Sequence, residues 1–370
     1  MEHEFAQTIR RVLSELFGNE GEFLYDRSPL LRYLNIKTRS AARGSKSRSA
    51  LANHYALYVL VEDYVSRGFV ESGTYSTCEG AHFASLFRRQ RALPFGQRLQ
   101  NHALNHRLNE EFKRYLPESG ALPIIRHPDM PGRYWVNEGL LLVKDRTGQP
   151  QNIARAVLAI IDAYMEAKQQ AHRQFIEDCR RLRTVGGDDG GAVRARIQEL
   201  VQPHVDARVF EIVSFAVLKA YYAGRAVFWG WRPDEVAEDR LVLYKTGRTN
   251  ANDGGIDFVM RPLGRFFQVT ETVDAGKYFL DIDKVERYPL TFVVKSTDSV
   301  SEIAAKVAED ARHRYPVAAV VERFMDCIEE IINIPLLVNR LDQVAAEGRL
   351  GDVLDEILKQ SALEFHLDEE

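Results

Sequence analysis

Between Val209 and Leu363 the apolar segments of this chain come in an order that few architectures accommodate. Val209–Ala223 is apolar nearly all round, the pattern of a helix buried on every side. It follows Asp206, a residue type whose side-chain oxygen caps helix N-termini. Leu241–Tyr244, Ile256–Met260 and Arg265–Val273 then read as three short strands. Residues 281–287 suit an irregular or helical crossover, and Leu290–Val294 is a continuous apolar run of the kind buried on both faces of a sheet. Helices are predicted at Val300–Arg314, Val317–Ile332 and Asp352–Leu363. The expectation is an α/β core built on a mixed sheet and flanked by helices. Phe228, Trp229 and Trp231 are expected in that core or as a lid over the sheet edge.

The first half of the chain has a different character. Phe5, Ile9, Val12, Leu13 and Leu16 mark one face of a helix over residues 2–17, stopped by Gly18. Lys37, Arg39, Arg43, Lys46 and Arg48 follow among small hydroxyl residues with no acid, a stretch that reads equally as a solvated loop or a phosphate-contacting segment. Helices are predicted at Ala50–Val65, Ala81–Ala92 and, after the break at Leu93–Gly96, Gln97–Leu116. On the last of these, Leu104, Leu108 and Phe112 make the buried stripe. Asn101, Asn105 and Asn109 recur every fourth residue on another face, beside Arg98 and His102. Short strands at Ile124–Arg126 and Tyr134–Val136 complete the helix, turn, helix, hairpin order of a winged helix-turn-helix. Asn and Arg side chains form bidentate pairs with base edges, so Arg98, Asn101, His102 and Asn105, with Arg43, Lys46 and Arg48, are the candidate DNA contacts. The plainer alternative is a helical subdomain whose polar face meets water.

These patterns divide the chain into a winged-helix-like region at 1–145, a connector at 146–191 and an α/β domain at 192–370. The connector comprises a long helix at Asn152–Arg183 and the Gly-rich Val185–Gly191. At 370 residues there is length for two or three such domains. A net charge of -4 excludes a globally basic protein, so any nucleic-acid site is a local patch. Three scattered cysteines argue against a disulfide framework or a cysteine zinc site. The start lacks the marks of a signal peptide and no apolar run approaches a membrane span, so a cytoplasmic location is expected.

The chemistry concentrates in Asn252-Asp253-Gly254-Gly255-Ile256-Asp257 and Gln268-Val269-Thr270. Ten residues separate Asp257 from Gln268, which places them across from one another on neighbouring strands. A carboxylate and an amide oxygen at that point suit one Mg²⁺, a hard cation that takes oxygen ligands. Strand alternation turns Gln268 and Thr270 to one face, and Val269 and Glu271 to the other. Glu211, embedded in Phe210–Leu218, is the second notable acid, since an unpaired carboxylate is costly to bury. Asp253 reads more simply as a turn former.

Over residues 206–296 the Gly-Gly-Ile-Asp…Gln-x-Thr layout resembles the PD-(D/E)xK nuclease superfamily. The nearest branch is the Gly-Gly-Ile-Asp…Gln-x-Lys one of Mrr-type and type II restriction endonucleases. The resemblance implies that Asp257 and Gln268 bind Mg²⁺ and that Glu211, on the first core helix, completes the site. In the family a lysine activates water or stabilises the phosphorane; here Thr270 stands in its place. Lys245 and Lys277 are the candidates to supply that cation from another element, with Lys245 slightly favoured and Lys295 less so; the alternative is that the metal-bound water needs no lysine, because Mg²⁺ and the scissile phosphate themselves assist its deprotonation. The implied function is site-specific cleavage of double-stranded DNA by a homodimer, in functional pairing with a DNA methyltransferase but without a stable complex. The helices at 152–183 and 317–332 are the expected dimer surfaces. The rival is a DNA-binding regulator whose nuclease-like domain is inactive.

Overall fold

The computed structural model describes residues 3–39, 47–72, 75–97, 99–185, 190–247, 256–285 and 287–365. The chain divides into two compact units, Met1–Arg173 and Gln174–Glu370. The division falls inside a continuous helix, Ala154–Val185, and not at the Gly-rich stretch, part of which lies outside the described residues.

The first unit opens with α1 (Glu4–Phe17), whose Phe5, Ile9, Val12 and Leu13 are buried and which ends at Gly18 with a positive φ of 54°. Next come α2 (Gly21–Arg27), α3 (Pro29–Thr38), α4 (Ser47–Ser66), α5 (Phe69–Ser72), α6 (Phe83–Ala92) and α7 (Leu108–Tyr115). After α8 (Glu138–Leu141) the long α9 (Ala154–Val185) leaves the unit. Strands β1 (Ala81–His82), β2 (Ile124–Ile125) and β3 (Arg133–Val136) form a sheet in the order β1-β3-β2, and β4 (Leu142–Lys144) pairs with β5 (Pro150–Asn152). The helix predicted from Gln97 is shorter than the sequence suggests: a π-helical turn at Ala103–Arg107 leads into α7. Gly96 lies in the break before it, where a Cβ would meet the Gln90 carbonyl oxygen at 2.2 Å.

The second unit contains α10 (Gly190–Glu199), α11 (Ala207–Tyr222), a hairpin of β6 (Ala226–Trp229) and β7 (Ala237–Arg240), and then β8 (Val242–Lys245), β9 (Phe258–Arg261) and β10 (Arg265–Thr270). Helix α12 (Ala275–Lys284) crosses to β11 (Leu290–Val294); α13 (Val300–Arg314) and α14 (Ala318–Asp326) lead to β12 (Ile328–Ile332), and α15 (Ile334–Ala346) and α16 (Leu350–Phe365) close the unit. The five-stranded sheet runs β12-β11-β10-β9-β8. Strands β8, β9 and β10 are antiparallel neighbours, while β11 lies parallel to β10 and β12 parallel to β11.

Apolar layers cover both faces. Phe258, Phe267 and Val293 share one cluster with Phe210 and Phe215 of α11, Leu337 and Leu341 of α15, and Leu354 and Ile357 of α16. On the other face Phe292 and Val294 pack with Tyr278 and Phe279 of α12, Ile303 and Val307 of α13, and Val321 of α14. Every residue of β11 is buried, which accounts for its uninterrupted apolar run. Each such Leu, Phe or Val contributes about 1.5–3 kcal/mol relative to an exposed position. Asp206 caps α11 by accepting from the Arg208 amide at 2.9 Å.

Two sequence expectations need correction here. The helix predicted over Val317–Ile332 ends at Asp326, and the isoleucine-rich remainder is β12, in register with Leu290–Val293 of β11. A run of β-branched residues beside an already buried strand gains more as a strand than as a helix turn. Phe228, Trp229 and Trp231 are neither core nor lid: they are 72%, 36% and 86% exposed on the β6–β7 hairpin.

Candidate active site

At one end of the five-stranded sheet the backbone ladder between β9 and β10 gives way to side chains. Asp257 stands just before β9 and is held on three sides. Its amide donates to the Phe267 carbonyl at 2.9 Å, and its carbonyl accepts from the Thr246 amide at 3.0 Å. Its carboxylate Oδ2 accepts from the Val269 amide at 2.6 Å. With 8% exposure, this acid is fixed in position before any ligand arrives.

Gln268 lies on β10 beside Phe292 of β11. Its Nε2 donates to the Val269 carbonyl at 3.3 Å, which orients the amide and leaves Oε1 buried with no hydrogen-bond partner. An unsatisfied buried acceptor costs about 1–3 kcal/mol, a cost that a bound cation removes. Amide oxygen and carboxylate are both hard donors, so Asp257 and Gln268 fit Mg²⁺ by chemistry. Among the described residues no three His, Cys, Asp or Glu side chains gather around a metal-sized space.

Thr270 ends β10 and is 2% exposed. Its Oγ1 accepts a 3.0 Å hydrogen bond from Nζ of Lys277. Lys277 lies in the first turn of α12, where Asp274 caps the helix by accepting from the Gly276 amide at 2.8 Å. An ammonium group from the crossover helix thus reaches Thr270 at the end of the strand. Next to it, Tyr278 is fully buried and stacks on Phe292 at 4.2 Å between ring centroids. Burial pushes its hydroxyl well above the usual tyrosine range, so it stays protonated and is no base.

Lys245, the other candidate, is engaged elsewhere. Its Nζ lies 2.9 Å from Glu211 Oε1, and each side chain is only 9% exposed. Lys245 pairs with Phe258 across β8 and β9, and Phe258 packs on Phe215 of α11, one turn beyond Glu211. Glu211 is therefore buried under the sheet in an ion pair. A second pair lies at the same end: Lys295 Nζ meets Glu271 Oε1 at 2.8 Å and also donates to the Val205 carbonyl. Sequence reasoning did not anticipate this pair, whose members are 24 residues apart. A cleft of about 480 Å³ opens beside Lys245, lined by Lys219, Lys359, Glu356 and Glu364. Lys219 and Glu356 are themselves paired at 2.8 Å.

In the first unit the asparagine face is largely structural. Asn105 Oδ1 accepts from the Tyr134 hydroxyl at 3.1 Å. Asn109 bonds the Ile124 backbone twice, donating at 2.8 Å and accepting at 2.9 Å, and so fastens α7 to β2. Arg89 forms a two-toothed pair with Glu62 at 2.8 and 2.7 Å, and Arg107 lies 3.6 Å from Glu111. Asn101 is half-buried, while His102, Arg88 and Arg91 are exposed. Arg43, Lys46, Arg98 and Asn252 to Gly255, with Asp253 among them, lie outside the described residues, as does the Arg48 side chain at the start of α4.

Comparison with known proteins brings no relative to bear: no family model matches the chain, and no curated protein or solved structure matches it. No helix among the described residues is long and apolar enough to cross a membrane.

Proposed function

We propose that this chain is a Mg²⁺-dependent endonuclease of the PD-(D/E)xK type that cuts specific sites in double-stranded DNA, as type II restriction enzymes do. The observation that carries the reading is the 3.0 Å contact between Lys277 and Thr270 beside the orphaned Gln268 oxygen. It returns a cation to the one position where the sequence departs from the family pattern. The topology agrees: a buried helix, three antiparallel strands, a crossover helix and a strand parallel to the third. The β1-β3-β2 sheet beside α6 and α7 is likewise compatible with a winged helix that reads DNA through Asn101, His102, Arg88 and Arg91.

In this reading Asp257 and Gln268 hold Mg²⁺, which when bound polarises a phosphodiester oxygen and acidifies a water. Asp257 needs no rearrangement, because its carboxylate is already clamped to the Val269 amide. Lys277 directs its ammonium at the charge that grows on the phosphorane as the water oxygen attacks phosphorus and the bond to the leaving oxygen breaks. Glu211 and Lys245 act from below as a neutral buried pair that sets the height of β8 and β9 over α11. Cutting both strands calls for two centres, hence a homodimer. A DNA methyltransferase acting on the same sites is the expected functional partner, without a stable complex.

The second reading, a DNA-binding regulator with a silent nuclease domain, draws on Thr270 and on the neutralised Glu211. Incubation with plasmid DNA and Mg²⁺ separates the two. The nuclease gives discrete fragments that EDTA suppresses, and Asp257→Ala abolishes them while still retarding the DNA. Intact, retarded DNA with the wild-type chain supports the regulator, and cutting by Asp257→Ala at the wild-type rate refutes the assigned site.

A further inference from the structure

Helix α12 carries two residues that its first turn does not favour. Lys277 opposes the positive end of the helix dipole, and Gly276 is the poorest helix former after proline. Both become intelligible with α13 beside them. Arg314, the last residue of α13, donates from Nε to Asp310 Oδ1 at 3.0 Å, and its Nη2 lies 3.2 Å from Asp274 Oδ1. Asp310 Oδ2 accepts from the Ala275 amide at 2.9 Å, while Asp274 Oδ1 accepts from the amides of Gly276 at 2.8 Å and Lys277 at 3.3 Å. The three donors that open α12 are thus taken by two carboxylates, and one guanidinium joins those carboxylates. The Ala275 amide holds the Asp310 carboxyl below the usual carboxylate range, so it keeps its charge. A Cβ on Gly276 would stand 2.3 Å from Arg314 Nη1, so glycine is what lets the guanidinium lie against the helix start.

The side chains of Arg314, Asp274 and Asp310 are 47%, 42% and 36% exposed, and pairs so open to water add little stability. What they govern is the partner that Lys277 finds. A side chain at the third position of a helix reaches back to the capping residue, which here is the carboxylate Asp274. An ionised acceptor holds a cation more strongly than a neutral hydroxyl does. Yet Lys277 Nζ donates to Thr270 Oγ1 at 3.0 Å. That hydroxyl gives its own proton to the Thr272 carbonyl at 3.2 Å, which turns its lone pairs to the ammonium. The acid nearest in sequence is passed over because Arg314 already occupies it.

We propose that Arg314 is a positioning residue: by holding Asp274 and Asp310 it keeps either carboxylate from capturing Lys277, and so keeps the ammonium on Thr270. The use of that ammonium rests on the nuclease reading, but its placement is tested without cleavage. A water-soluble carbodiimide joins a lysine nitrogen to a carboxylate in contact with it, and peptide mass spectrometry of the full chain reads which pairs are joined. Lys277 of the wild type should stay unlinked. Arg314→Met should link Lys277 to Asp274, with an unchanged circular dichroism spectrum. Gly276→Ala, whose methyl group drives the flexible guanidinium off Asp274, should do the same. Arg314→Met should also slow single-turnover cleavage on the order of tenfold to a hundredfold at unchanged affinity for duplex DNA, the effect of a displaced group. Adding Asp274→Asn, which still caps α12, should restore most of the rate. A wild type that links Lys277 as readily as the variants overturns the proposal, as does the absence of the link in both. Links accompanied by an unchanged cleavage rate overturn the positioning role. A wild type that cuts nothing refutes the nuclease reading alone, and the links still decide whether Arg314 sets the place of the ammonium.

Discussion

Lys245 and Lys277 approach the same end of one sheet from opposite faces, and they meet opposite partners. Lys245 is buried against a carboxylate, Glu211, at 2.9 Å. Lys277 donates to a neutral hydroxyl, Thr270 Oγ1, at 3.0 Å, and among the described residues it pairs with no carboxylate. A lysine whose charge is cancelled by a buried acid holds elements together. One that rests on a hydroxyl has no counter-charge among the described residues. The faces differ in the same sense: Lys295–Glu271 adds a second neutral pair on the α11 side, while the α12 side keeps an unsatisfied oxygen at Gln268.

This contrast can be broken by substitution. Lys245→Met would remove one member of the buried ion pair with Glu211 and should cost about 3–5 kcal/mol in urea unfolding. A loss below about 1 kcal/mol would mean that the pair is not structural. Gln268→Leu should act the other way, raising the stability of the metal-free protein by about 1 kcal/mol because it removes an orphaned acceptor. The same variant should bind Mn²⁺, read by electron paramagnetic resonance, about tenfold more weakly. Unchanged Mn²⁺ affinity would show that the amide oxygen holds no metal. The mildest change is Thr270→Val, which removes the hydroxyl under Lys277. It should shift stability by less than about 1 kcal/mol and slow cleavage severalfold, since the ammonium stays but loses its anchor. A complete loss of cleavage would instead make the hydroxyl itself essential.

Much of the architecture was legible because single elements bury whole faces. Leu290–Val294 reads as a strand and is one, residue for residue, since nothing polar interrupts it. Asp206 caps α11 and Gly18 ends α1 as their chemistry requires. What escaped depended on partners distant in sequence. Ile328–Ile332 has no pattern that separates strand from helix until β11 is beside it. Trp229 and Trp231 look like core because large aromatics usually are. At the candidate site Asp257 and Gln268 stood out from their spacing and the strand context. The choice between Lys245 and Lys277 did not, because it rests on how α11 and α12 pack on opposite faces. Likewise, the regular spacing of Asn105 and Asn109 suggested DNA contacts, yet both fasten the helical segment to its own hairpin.

The central claim is that Lys277 supplies the cation missing from the strand. Its most direct test is the single-turnover cleavage rate of duplex DNA by Lys277→Met and by the double variant Thr270→Lys with Lys277→Met. A loss on the order of a hundredfold to a thousandfold is expected in the single variant, the scale of removing one group that stabilises transition-state charge. Substantial recovery is expected when the ammonium is returned to the strand in the double variant. A Lys277→Met protein that cuts as fast as wild type would contradict the claim.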